Sequence, residues 1–202
     1  MPEISIITIG GDAGSGKSTV ALALALKTGF TRLNAGYMQR ERCNDPKHNP
    51  KGLDLQAYMA QLSPQDDQSI EDEMKETARK KDRLIMEGRL SFSWVPHGKP
   101  VLKVFLSVDP MIGAKRILDQ KQQSSARREE RKDKTVEETL KDNEKRKGDE
   151  IERYKRVYGL NPYDLKQYDI IIDTSYQTPE EVVQQILNEA NLDKGSTIYA
   201  GL

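Results

Sequence analysis

The sequence predicts an α/β fold in which helices cover both faces of a parallel sheet, and three observations predict it. Short runs rich in β-branched and apolar residues alternate with stretches of helical spacing. The run Ile170-Ile171-Ile172 is continuously apolar, as a strand must be when neither of its faces meets water. The first apolar run leads straight into a glycine-rich octet and then into an apolar helix. At 202 residues the chain can bury one sizeable core and is too short for two full-sized enzyme domains, so residues 1–202 are expected to form a single domain.

Strands are expected at residues 4–9, 30–34, 84–86, 101–108 and 168–173, the second being the weakest. Helices are expected over residues 17–27, 53–62, 70–81, 110–121, 135–158 and 179–189, with Pro179 suited to a first helical turn. Residues 44–52, with two prolines and one glycine, read as a loop. No internal repeat interrupts this order.

Lys plus Arg equals Asp plus Glu, 32 against 32, so no global field gathers nucleic acid or an anionic membrane. Any anion binding must come from local geometry. The longest apolar run, residues 20–26, falls far short of the ~20 residues of a membrane span. The segment Met1-Pro2-Glu3 before the first strand lacks the basic region and cleavage site of a secretory signal. A lone Cys43 cannot form an internal disulfide. These features point to a cytoplasmic protein, expected to be a monomer with small-molecule partners and with neither nucleic acid nor membrane among them.

The octet Gly11-Asp12-Ala13-Gly14-Ser15-Gly16-Lys17-Ser18 fits G-x-x-x-x-G-K-[ST] and lies between a strand and a helix, the context that this motif requires. Its glycines let successive N–H groups converge on phosphate oxygens at the positive end of the following helix. Lys17 is suited to reach the β- and γ-phosphates, and the Ser18 hydroxyl to ligate Mg²⁺. Together with Thr19, these residues are expected to hold a nucleoside triphosphate. The chain has no Asn/Thr-Lys-x-Asp guanine signature and no room for helicase or motor modules, which favours a kinase of a small molecule.

Such a kinase must hold a second, anionic substrate in line with the γ-phosphate, and arginines on separate elements would do so. Arg40 follows the second strand, and Arg89 follows Gly88 just past the carboxyl end of a buried strand. Glu87, at the same edge, is suited to hold Mg²⁺ through water. Residues 127–156 carry 22 charges, twelve positive and ten negative, and read either as a solvated helix or as an arginine-bearing flap over an anion site. Within them Arg146, Glu150 and Arg153 share one narrow helix face. There Glu150 is expected to hold two guanidiniums apart, while Val136, Leu140, Ile151, Tyr154 and Tyr158 dock the helix. His48, His97 and Cys43 have no metal-type spacing, and Phe92, Trp94 and Val95 are expected to pack the sheet rather than stack on a base.

Several stretches carry a family pattern: Ala35-Gly36 with Arg40, Asp67-Gln68-Ser69-Ile70-Glu71, Glu87-Gly88-Arg89-Leu90 and Arg146-x-x-x-Glu150-x-x-Arg153-Tyr154. Tyr158-Gly159, Asp164-Leu165 and Tyr168-Asp169 with Asp173-Thr174-Ser175 complete it. In their order and spacing the chain resembles the cytidylate kinase family of nucleoside monophosphate kinases, particularly its short archaeal-type members. The resemblance implies a P-loop, three-layer α/β/α fold around a five-stranded parallel sheet. Its core would be residues 1–39, 83–119 and 159–190, with a small monophosphate-binding insert near 40–70 and a lid near 120–135. It also implies Mg²⁺-assisted transfer of the ATP γ-phosphoryl group to CMP or dCMP.

By position, Arg40, Arg89, Arg146, Glu150 and Arg153 would bind the acceptor, with Glu150 standing where the family usually has Asp. Lys17, Arg146 and the lid residues Arg127, Arg128 and Arg131 would stabilise the transferring group, and Arg116 would lie against the adenine. Tyr37, Gln120 and Lys147 depart from the pattern. Two other readings accompany this one: a P-loop kinase of another small acceptor (AMP, UMP or a non-nucleotide), and a catalytically weak nucleotide-binding module.

Overall fold

The computed structural model describes residues 3–53, 57–58, 61, 64–123 and 135–192. Five strands form one sheet: β1 (Ile6–Gly11), β2 (Thr31–Asn34), β3 (Leu84–Glu87), β4 (Val101–Ser107) and β5 (Ile170–Asp173). Their order is β2-β3-β1-β4-β5, and every neighbouring pair is parallel. Among the described residues the main helices are α1 (Lys17–Thr28), α2 (Ala35–Asn44), α3 (Pro64–Lys80), α4 (Pro110–Gln123), α5 (Val136–Tyr158) and α6 (Pro179–Glu189).

Side chains alternate across the sheet, and the core therefore divides into two layers. Ile7 and Ile9 of β1 pack on one side with Val20 and Leu24 of α1 and with Val182 and Ile186 of α6. Ile6, which the pleat turns to the opposite face, packs on the other side with Met74 of α3, Trp94, Phe105, Tyr154 of α5 and Tyr168. Each fully buried aliphatic side chain of this kind contributes ~1.5–3 kcal/mol relative to exposure. The fold is the expected three-layer arrangement.

Four local expectations change. β1 begins and ends two residues later than expected, because Gly10 and Gly11 continue the ladder opposite Phe105 and Leu106. Glycine is required there by crowding: a Cβ on Gly11 would lie 2.2 Å from the Leu106 carbonyl oxygen. The apolar run in β5 does not have both faces covered; the strand pairs with β4 alone, and Ile171 is 50% exposed on the outer side of an edge strand. Residues 35–44 form α2, which begins where the Asn34 side chain accepts a hydrogen bond from Tyr37 N–H. Helix α3 starts six residues before the expected position, at Pro64.

Of the helix expected over 53–62, residues 57, 58 and 61 are described and helical, while the rest of it beyond 53, most of the lid expected at 120–135, and Arg127, Arg128 and Arg131 lie outside the described residues. Helices α5 and α6 start where expected, each with a capping box in which Thr135 and Glu138, or Thr178 and Glu181, bond reciprocally. Phe92 and Trp94 are buried in the core beside Tyr168, as expected of packing residues. No helix among the described residues is long and apolar enough to cross a membrane.

Candidate active site

The octet joins the central strand β1 to α1 at the carboxyl edge of the sheet. Gly14 has φ +78°, and a Cβ there would lie 2.3 Å from the Gly113 carbonyl oxygen of α4, so the loop packs backbone to backbone. Unlike α5 and α6, α1 begins with no side-chain cap and no acidic residue in its first turn. Amides left without a side-chain partner, at the positive end of a helix, are what an anion requires. Lys17 Nζ donates to the carbonyls of Gly11 (3.0 Å) and Asp12 (2.5 Å). Burial, reinforced by the Arg89 charge and opposed by Glu87 and Asp12, pulls the Lys17 ammonium down to a pKa of about 7.

Register brings a second group to this edge, since Ile9 and Asn34 both lie opposite Glu87. Glu87 Oε1 accepts from Ser18 Oγ at 2.5 Å, and Oε2 accepts from Arg32 Nη2 at 2.7 Å and Asn34 Nδ2 at 2.6 Å. Ser18 and Glu87, both named from sequence as Mg²⁺ residues, are therefore in contact. A hydroxyl and a carboxylate are hard oxygen donors, which fits that ion. Arg32 and Asn34 were not expected in the site. Alternation along β2 turns both to one side, which is the signal that could have found them.

Arg89, just past β3, is half-buried and joins three elements. Its Nη1 donates to the Gly11 carbonyl at 2.6 Å, and its Nε lies 2.8 Å from Glu150 Oε2 on α5. Glu150 also takes Arg146 Nε at 2.9 Å and the Tyr163 hydroxyl at 2.7 Å. Burial opposes the Glu150 charge, but Arg89 and then Arg146 overcome it and hold the carboxyl below its ordinary range. Burial likewise opposes the Arg89 charge, and Glu150 more than restores it, leaving the pKa raised. The Tyr163 phenol is pushed up, chiefly by burial.

Glu150 thus joins Arg146 to Arg89, a partner that the helix-face reading did not supply. The Arg153 guanidinium lies 5.8 Å from the Tyr154 ring centre. Arg40 sits half-buried on α2, with Nη1 over Gly36. Lys147, one residue beyond Arg146, reaches Asp12 of the octet at 3.0 Å, a contact that no spacing rule announces.

Arg116 of α4 donates to the carbonyls of Thr174 (2.8 Å) and Ser175 (3.0 Å) in the segment after β5. Thr174 Oγ1 in turn donates to the Ser15 carbonyl at 3.1 Å. The arginine expected near the donor base is therefore two bonds from the octet. Among the described residues, no group of three or more His, Cys, Asp or Glu is arranged to hold a metal.

The family profile described as the cytidylate kinase-like family matches residues 6–176. The chain belongs to that family. Among its relatives, the cytidylate kinase of Methanopyrus kandleri is 32% identical over 187 residues, covering 87% of this chain and 88% of the relative. That of Halobacterium salinarum is 29% identical over 199 residues, with 95% of each chain covered. Among solved structures, the shikimate kinase of Bacteroides thetaiotaomicron is similar in fold, with a TM-score of 0.56 at 16% identity over 93% of this chain and 98% of the other. The shikimate kinase of Acinetobacter baumannii gives 0.57 at 14% identity, with 95% of each chain covered. The fold and the membership of this family thus rest on separate comparisons, one of structure and one of sequence.

Proposed function

We propose that the chain is a nucleoside monophosphate kinase that transfers the ATP γ-phosphoryl group to CMP or dCMP with Mg²⁺. The observation that carries this reading is the 2.6 Å bond from Arg89, an acceptor-side residue by position, to Gly11 at the start of the donor loop. Two anion-binding groups on separate strands are thereby held side by side, which in-line phosphoryl transfer requires. The uncapped α1 terminus and Lys17 would take the triphosphate. Ser18 and Glu87 would hold Mg²⁺, which when bound neutralises charge on the β- and γ-phosphates.

Arg40, Arg89, Arg146 and Arg153 would meet the incoming monoester, with Glu150 fixing Arg89 and Arg146. Arg116 would hold the donor-base segment. Lid residues Arg127, Arg128 and Arg131, outside the described residues, would stabilise charge on the transferring group, a role whose loss costs ~100-fold or more per donor. The relatives named cytidylate kinase support the choice of acceptor.

The test is to incubate the protein with ATP, Mg²⁺ and, in turn, CMP, dCMP, UMP, AMP, GMP and non-nucleotide acceptors, and to follow ADP and phosphorylated product. CMP- or dCMP-dependent turnover that disappears in Lys17→Ala is expected. Turnover with a different acceptor would replace the substrate assignment, and ATP binding without transfer to any acceptor would leave only a nucleotide-binding module.

A further inference from the structure

The proposed phosphate cradle contains one carboxylate, Asp12, among eight residues that should attract a triphosphate. An unscreened carboxylate within several ångströms of a triphosphate weakens binding by on the order of five- to ten-fold at an intermediate effective dielectric. Asp12 is not unscreened. Lys147 Nζ on α5 lies 3.0 Å from Asp12 Oδ1, across 135 positions of sequence. The same ammonium stands 4.5 Å over the Tyr163 ring. That ring is held in turn by its hydroxyl bond to Glu150 and its edge contact with Phe105. The ammonium is therefore located from two sides, by the loop it neutralises and by an aromatic platform tied to the arginine cluster.

We propose that Lys147 is a positioning and charge-compensating residue for the donor triphosphate. By pairing with Asp12 it cancels the cradle's single negative charge and fixes the loop against α5, without itself touching the nucleotide. The inference rests on the ATP-binding part of the function proposed above and adds a residue to it.

A double-mutant cycle on ATP binding, read by titration calorimetry with the full chain, tests this. The variants are Lys147→Gln, Asp12→Asn, the two combined, and Lys147→Arg. Lys147→Gln should weaken ATP binding about five-fold at low salt, and adding Asp12→Asn should return the affinity to within about two-fold of the unaltered protein, since neither side chain then carries a charge. The larger effect should shrink in about 0.5 M salt, and Lys147→Arg should largely preserve affinity. A loss in Lys147→Gln that Asp12→Asn does not relieve would mean that Lys147 acts on ATP other than through Asp12 and would overturn the proposal, as would no loss in Lys147→Gln. If the unaltered protein does not bind ATP, the functional reading falls and this inference with it; binding without that rescue removes the inference alone.

Discussion

Replacing Glu150 by Gln isolates the junction on which the arginine cluster depends. The change keeps the shape of the side chain and one acceptor oxygen for the Tyr163 hydroxyl, removes the charge, and turns the other acceptor into an N–H donor. Arg89 and Glu150 retain 17% and 14% of their side-chain exposure, so their 2.8 Å pair is mostly out of water. Removing one member of such a pair leaves a buried guanidinium uncompensated, at ~3–5 kcal/mol for full burial and nearer ~3 kcal/mol with this residual exposure. The second partner adds little, since Arg146 is 68% exposed and a pair of that kind contributes ~0–1 kcal/mol. We therefore expect Glu150→Gln to lower stability by about 3 kcal/mol near pH 7, and Arg146→Gln to lower it by less than about 1 kcal/mol.

The pH dependence has a definite sign. The Glu150 carboxyl is held below its ordinary range in the folded protein: burial opposes its charge, and Arg89 and Arg146 overcome that opposition. Its contribution is fully present above the unfolded carboxylate value of about 4.3 and is lost as pH falls through the lower folded value. Urea unfolding of both proteins near pH 7 and near pH 3.5 measures this, and the gap between them should narrow at the lower pH. A cost below about 1 kcal/mol near neutrality, or a gap independent of pH, would refute the view that a buried ion pair holds the cluster together.

Two further outcomes follow from the loop. With its pKa near 7, Lys17 is largely neutral near pH 8, so ATP binding should take up roughly one proton there and close to none near pH 6. Calorimetry in buffers of different ionisation enthalpy reads this, and equal uptake at both pH values, or its persistence in Lys17→Arg, would contradict it. Gly113→Ala should weaken ATP binding, although Ala favours a helix over Gly by ~1 kcal/mol. The new Cβ would lie 2.7 Å from the Ala13 carbonyl oxygen and 3.0 Å from Val108 Cγ1, and the backbone of the loop would have to move. Thermal unfolding and ATP titration together check this, and unchanged affinity would show that the loop does not depend on that close approach.

Much of the fold was legible because it is written in local periodicity and caps. The strand-loop-helix at residues 6–28, the extents of α5 and α6, and the parallel sheet all follow from patterns a few residues long. Helix α2 escaped because its residues, Ala35–Asn44, lack a strong apolar stripe, and only the Asn34 cap marks its start. The exposed flank of β5 escaped because an apolar strand at the edge of a sheet has the same sequence as one at its centre. Within the site, Ser18 with Glu87 and Arg89 with Arg146 and Glu150 were named in advance and are brought together. Lys147, noted only as a departure from the family pattern, and Tyr163 were not placed there, because charge spacing along one helix orders its own face but cannot tell which distant group that face meets, and Arg32 and Asn34 were missed although alternation along β2 turns both to one side.

The same limit explains how the cradle is held. A loop with this many glycines costs ~1–2 kcal/mol per residue to fix in one conformation, and glycine raises that cost. The compensation comes from far along the chain: Arg89 grips the Gly11 carbonyl from 78 residues away, Lys147 grips Asp12 from 135, and Thr174 grips the Ser15 carbonyl from 159. These three ties arise after β3, on α5 and after β5, so no single element sets the loop alone. Residues with no contact to a nucleotide can therefore tune its binding through the loop. If so, Thr174→Val, which removes the hydroxyl lying between the Ser15 and Ser107 carbonyls and keeps the bonds from Arg116 to the backbone, should weaken ATP binding while leaving Lys17 and Ser18 in place. Unaltered ATP affinity in that variant would mean that the loop holds its shape by local geometry, and the long-range ties would then be consequences of the fold rather than causes of the site.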